Sequence, residues 1–187
     1  MCRLLAAKDA LARRLLLDIL SRSRREKNEE TDERINTMKK QKIYLDICSY
    51  NRPFDSQSQI KIRLETEAKL HIQSDIREGK YSLCWSFMLD YENGKNPYDE
   101  KRSMVDPWKE IADDFCPPSE SILTRGKAIM NLGIKNNDAL HIACAIERKC
   151  EYFITTDKRL TNKHIEKIIV MNPIDFVREM EEKNEDG

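Results

Sequence analysis

The sequence carries no net charge: 33 Lys and Arg residues balance 33 Asp and Glu residues. Such a chain has no bulk field to draw it to nucleic acid or to a membrane, so binding of either kind must come from a local patch. Aromatic residues are few, at 7%, beside 35% charged residues; that balance points to a helix-rich soluble protein. Long apolar runs are missing too. None approaches the roughly 18 residues that a membrane span requires, so no membrane association is expected. The apolar start is interrupted by Lys8, Asp9, Arg13, Arg14 and Asp18 and lacks the unbroken core of a signal peptide. Its arginines fit an organellar presequence, but its aspartates do not. The six cysteines (Cys2, Cys48, Cys84, Cys116, Cys144 and Cys150) include no C-x-x-C pair, which argues against a zinc ribbon or a thioredoxin-type site. Several lie in apolar runs, where free thiols fit a reducing cytoplasm better than a disulfide framework fits a chain this long. Internal repeats and low-complexity tracts are absent.

What is present is enough for one domain with an appendage. A chain of 187 residues can bury a core without disulfide or metal staples. Leu5, Ala12, Leu16, Ile19 and Leu20 fall at helical spacing and predict an amphipathic helix over residues 1 to 25. The next stretch, to residue 37, is almost wholly polar and reads as a linker or a solvated helix. The character changes at Met38. The expected division is therefore an N-terminal helix and polar linker over 1–37 and a domain over 38–187. Met38 also reads as an alternative start, against a first helix that docks on the domain; both readings stand.

Within the domain, short apolar runs alternate with helical patterns. KIYLDI (42–47), YSLCWS (81–86), EYFITTD (151–157) and KIIVMNP (167–173) predict four strands. Between the first two, Asp55 or Ser56 can cap a helix reaching Glu78, with Ile60, Leu64, Ala68, Ile72 and Ile76 as its apolar stripe and Gly79 as its C′ residue. A short helix ends at Gly94, residues 98–114 read as helical despite Pro107, and CPPSE caps a helix running to Leu132. Residues 138–149 predict a further helix, and Pro173 can open the last one. This alternation predicts an α/β fold with a parallel sheet, whose ligand site lies at the carboxyl ends of the strands.

Two of those strand ends carry an aspartate, Asp46 and Asp157. Turn formation explains either one alone. Together, in parallel strands, they put two carboxylates on one edge. Asp138 opens the helix leading to the Asp157 strand, where a helix cap would also explain it, and Glu92 lies on the helix after the second strand. Clustered carboxylates repel one another and cannot all stay ionised unaided. A hard divalent cation removes the conflict, and Mg²⁺ prefers oxygen ligands. The chemistry suggested is metal-assisted hydrolysis of a phosphate ester.

YLDICSYNRPFD, SFMLDYENGKNP, NNDALHIACA and FITTDKRL occur in the order of a PIN domain, and over about residues 42–171 the chain resembles stand-alone PIN proteins related to VapC-type toxins. The resemblance implies a three-layer α/β/α sandwich on a parallel sheet, with the N-terminal helical extension outside it. It implies a Mg²⁺- or Mn²⁺-dependent ribonuclease that cuts RNA to leave 5′-phosphates, the toxin of a toxin–antitoxin pair, with an antitoxin and a homodimer as its partners. Its acidic set maps onto Asp46, Glu92, Asp138 and Asp157, with Asp46, Asp138 and Asp157 as metal ligands. Asp90, two residues before Glu92, is the rival for the second position. Thr155 or Thr156 is expected to orient a carboxylate or a metal-bound water, with Thr156 favoured because it adjoins Asp157; structural capping by the hydroxyl explains it as well.

Other polar residues have plainer readings. His141 follows Asp138 on nearly the same helix face, but a hard-oxygen site does not need imidazole, and a packed histidine is the simpler expectation. Cys48 reads as packing, and Trp85 and Trp108 as core. Arg52, Lys95, Lys158 and Arg159 flank the acidic motifs and are candidates for RNA phosphate contacts, with Arg52 foremost because it lies in the matching NRPF segment. Two other functions compete. A non-catalytic PIN-like module that binds RNA or protein would not need all four acids. A phosphorylation-driven receiver needs an acidic pair after its first strand and a lysine after a late one, and neither KIYLDI nor KIIVMN supplies them.

Overall fold

Gln41–Leu45 form β1, and its last three residues, Ile43, Tyr44 and Leu45, are fully buried. An apolar run with no polar alternation is what a strand covered on both faces requires. The computed structural model describes residues 40–185; the helix and linker expected over 1–37 lie outside the described residues. After β1 come α1 (Ile47–Asn51), a 3-10 turn (Arg52–Phe54), α2 (Ile60–Arg77), β2 (Tyr81–Ser86) and α3 (Phe87–Gly94). Then follow α4 (Asp99–Val105), α5 (Pro107–Ile111), β3 (Asp114–Cys116), α6 (Glu120–Met130) and α7 (Asn136–Glu147). β4 (Tyr152–Ile154), α8 (Lys158–Thr161), β5 (Ile169–Met171) and α9 (Pro173–Glu185) complete the chain.

The five strands form one sheet in the order β3-β2-β1-β4-β5, and every pair is parallel. Register alternation sends successive side chains to opposite faces. Tyr44 and its neighbour Phe153 stack on one face, where Tyr44 also meets the ring of His141 from α7. On the other face Tyr152 packs edge-on against Phe176 of α9, as does Tyr81 at the start of β2. α9 packs on α2, and α6 on α7. The result is the expected α/β/α sandwich. Among the described residues no helix is long and apolar enough to cross a membrane, and the five described cysteines are free thiols.

Several local expectations need correction. Residues 98–114 are two short helices followed by β3, a fifth strand. Asp-Phe-Cys is too short and too polar to carry a strand pattern; it forms because Cys84, Trp85 and Ser86 of β2 pair with it. Its Asp114 is held by Lys42 Nζ at 2.8 Å and by Arg148 Nε at 3.0 Å. The long helix begins at Ile60, capped by neither Asp55 nor Ser56, because the chain first spends residues 52–54 on the 3-10 turn. Gly79 does terminate its run with a φ of +77°, a conformation open to glycine at no steric cost. Asp138 is not a cap either. Lys135 holds that position and Asp138 lies in the first turn of α7.

α2 departs furthest from its pattern. Ile72 and Ile76 are buried as expected, but Ile60 is 67% exposed and Leu64 46%. Glu65 and Lys69 face inward in their place, both buried. Glu65 is compensated. Arg52 Nε approaches its Oε2 at 3.0 Å, Lys61 Nζ lies 3.1 Å from Oε1, and Asn172 donates to Oε1 at 2.6 Å. Arg52 also pairs with Asp55 at 2.8 Å. The Arg52 guanidinium, expected to meet RNA phosphates, is paired with these two carboxylates. Lys69 has no carboxylate partner among the described residues, only the ring of Tyr50 at 5.9 Å. Burial, with help from the charge of Arg77, pulls its amine down to about 8.

Two stability measurements follow. Arg52→Ala leaves Glu65 under-compensated and lowers the urea unfolding free energy by about 3 kcal/mol; a loss below about 0.5 kcal/mol would return Arg52 to the free surface. Lys69 binds fewer protons folded than unfolded between about pH 8 and the ordinary lysine range, so stability rises with pH across that window. Lys69→Met should remove the rise and add about 1–3 kcal/mol at pH 7; an unchanged pH slope would contradict it.

Candidate functional site

The chain builds β1, β2 and β3 outward on one side and then crosses to place β4 on the other side of β1. The gap between β1 and β4 is the topological switch point, where ligands of open α/β sheets bind. Asp46 directly follows β1 and Asp157 lies three residues beyond β4. Pairing continues past the strand ends, since the Asp46 N–H donates to the Ile154 carbonyl at 3.0 Å. The Thr155 hydroxyl then donates to Asp46 Oδ2 at 2.8 Å and accepts from the Asp157 N–H at 3.1 Å. One threonine thus ties the two acids together. Thr155 is fully buried, and the orienting contact expected first of Thr156 is its own. Thr156 contributes its backbone N–H, directed at the Cys48 sulfur.

Cys48 adds the second contact to Asp46, its thiol lying 2.9 Å from Oδ2 and 3.1 Å from Thr155 Oγ1. Burial first, then the neighbouring Asp46, push that thiol up to about 12, so it remains a protonated donor and not a nucleophile. Asp46 stands at the N-cap position of α1 but makes no capping bond there; both of these donors meet its Oδ2. Asp157 does cap, accepting the Arg159 N–H at 2.8 Å.

Glu92 and Asp138 reach the same edge from helices. Asn137 donates to Glu92 Oε1 at 2.9 Å, and His141 Nε2 lies 3.2 Å from Oε2. Burial works against the Glu92 carboxylate, but His141 and Asn137 outweigh it and hold the group below the usual range. Asp90 is occupied elsewhere, by the Trp85 indole and Lys109, each at 2.8 Å. Asp138 is half-buried and accepts no hydrogen bond among the described residues. Its carboxyl is raised by burial and then by the charges of Asp46, Asp157 and Glu92. The structure therefore brings Asp46, Asp157 and Glu92 within electrostatic reach of Asp138. Asn137 had no signal beyond its place beside Asp138, and Cys48 none beyond its place beside Asp46.

The donor set is all carboxylate oxygen, the type a hard divalent cation takes. Among the described residues no three His, Cys, Asp or Glu side chains converge closely enough to enclose an ion. A recess of about 100 Å³ lined in part by Asp138, Asp157, Lys135, Arg159 and Lys163 lies on one side. An open one of about 330 Å³, with Glu92, Lys95, Asn51, Asn96 and Asn137 in its wall, lies on the other. A larger apolar recess, about 450 Å³, between α6 and residues 164–167 holds none of the acids.

The PIN domain family model matches residues 109–165, a span that contains Asp138 and Asp157 but neither Asp46 nor Glu92. No curated protein matches. Among solved structures, a chain from the VapBC2 complex of Rickettsia felis, bound to a DNA fragment from their promoter, aligns at 16% identity and a TM-score of 0.45. The alignment covers 70% of this chain and 98% of that one. From residue 109 to residue 165 the chain matches the PIN domain, and it carries a five-stranded parallel sheet between helical layers.

Proposed function

We infer that the protein is a metal-dependent endoribonuclease. The observation that carries this reading is Asp138, a half-buried carboxylate with no hydrogen-bond donor among the described residues and three further acids acting on it. Such a group is costly unless a cation joins it. Asp46, Asp138 and Asp157 would hold the ion, Mg²⁺ or Mn²⁺. When bound, it would supply neutralising charge to the phosphodiester and acidify water.

The chain's own residues supply the rest. Glu92 stays ionised and takes the proton of the attacking water. The new bond forms at phosphorus as the bond to the 3′ oxygen breaks, leaving a 5′-phosphate on one fragment and, once the departing oxygen takes a proton from solvent, a 3′-hydroxyl on the other. Thr155 and Cys48 fix Asp46, so its orientation does not depend on the ligand. Lys135, Arg159 and Lys163 border the Asp138–Asp157 recess and are placed to meet RNA phosphates. A toxin role, an antitoxin partner and a homodimer belong to the same proposal; they rest on the motif resemblance.

Incubating the purified protein with mixed single-stranded and structured RNA, with Mg²⁺, Mn²⁺ or EDTA, tests the assignment. Cleavage should require metal, and Asp46→Asn or Asp138→Asn should lower it by about two orders of magnitude or more. Metal-dependent cleavage surviving in both variants would sink the site. RNA retention without cleavage under any condition would favour a binding module. A finer comparison separates the threonines. Thr155→Val should cost on the order of 10-fold to 100-fold in activity, and Thr156→Val less than about 3-fold; equal losses would contradict the contact geometry.

A further inference from the structure

A buried polar chain runs from the centre of the sheet to Glu92. The Leu89 N–H donates to Ser86 Oγ at 3.4 Å. Ser86 Oγ lies 2.5 Å from the Tyr44 hydroxyl, and that hydroxyl lies 2.7 Å from His141 Nδ1. His141 Nε2 faces Glu92 Oε2 at 3.2 Å, off the ideal line, and has no other partner among the described residues. Ser86 and Tyr44 are wholly buried and His141 is 1% exposed. Tyr44 stands on the central strand, and its hydroxyl bonds none of the four acids.

The directions of these bonds can be solved. Glu92 only accepts, so Nε2 must carry a hydrogen. In a neutral ring Nδ1 then carries a lone pair and requires a donor. The Tyr44 hydroxyl is that donor, with the Ser86 hydroxyl donating to Tyr44 in turn. Every donor points toward Glu92, and no second charge is buried. An imidazolium would instead need Nδ1 to donate to Tyr44, forcing the tyrosine hydrogen back onto Ser86.

We propose that Tyr44 sets His141 as the neutral Nε2–H tautomer and through it positions Glu92 as the base. This rests on the nuclease reading for its catalytic consequence, but not for the tautomer itself. Without the Tyr44 hydroxyl, the Nδ1 lone pair is left with no donor, and the ring loses the contact that aims Nε2–H at Glu92. Tyr44 and His141 are positioning residues, since neither contacts the reacting atoms.

The chain has only three histidines, and His71 and His164 are exposed, so the buried ring can be assigned in long-range proton–nitrogen spectra of the ¹⁵N-labelled full chain. With EDTA and no RNA, His141 should show unprotonated Nδ1 and protonated Nε2. Tyr44→Phe, which retains the stacking ring, should move the Nδ1 resonance to that of a lone pair without a hydrogen bond. In the nuclease assay the same variant should lower kcat on the order of 10-fold with KM unchanged. His141→Gln, whose amide can replace Nε2–H, should retain more activity than His141→Leu. An imidazolium or an Nδ1–H tautomer in the unaltered protein, or an unmoved Nδ1 in a folded Tyr44→Phe, would overturn the proposal. Should Tyr44→Phe fail to fold, the spectrum of the unaltered chain still decides. A protein that cleaves no RNA yet shows the Nε2–H signature would fail the nuclease reading while upholding this one.

Discussion

The pairing of β1 with β4 is the constraint on which the site depends. These strands are far apart in sequence, and only the crossover through α6 and α7 sets them side by side. Their hydrogen bonding does not stop where the strands stop. It runs on through the Asp46 amide and the Thr155 hydroxyl into the Asp157 backbone. A one-residue slip would turn every side chain of β4 to the other face, and Thr155 would lose Asp46. Burial of Tyr44, Phe153 and Ile154 fixes the register, so the hydrophobic core determines where the acids point.

Much of this was legible in the sequence, and the reasons are local. KIYL, YSLCWS and YFI are apolar runs that make sense only as buried strands, and the aspartates after the first and third follow from them. β3 was not legible, because three residues starting with an aspartate hold no pattern and owe their conformation to β2. α2 misled for a different cause. Its apolar stripe has the correct period, but Glu65 and Lys69 go inward because Arg52 and Asn172, distant in the chain, await the carboxylate. Periodicity cannot see a partner. The choice of Glu92 over Asp90 was open for the same reason. Trp85 and Lys109 hold Asp90, while Asn137 and His141 hold Glu92.

The polar residues thus divide by what they oppose. Arg52, Glu65, Lys42, Asp114 and Arg148 neutralise one another and leave little charge to offer a ligand. The four acids of the cleft do the reverse. Their cationic or donor neighbours touch Glu92, Asp46 and Asp157 but not Asp138, so net negative charge remains at the centre. A fold optimised for stability alone would not leave it there.

Asp157 serves two masters. As the cap of α8 it needs only an acceptor oxygen, and asparagine provides one as well as aspartate does. As part of the acidic cluster it needs its charge. The backbone can therefore register the loss of the acceptor but is blind to the loss of the charge. At this position shape and chemistry are inherited separately, and a descendant carrying asparagine would keep the architecture intact while losing the charge.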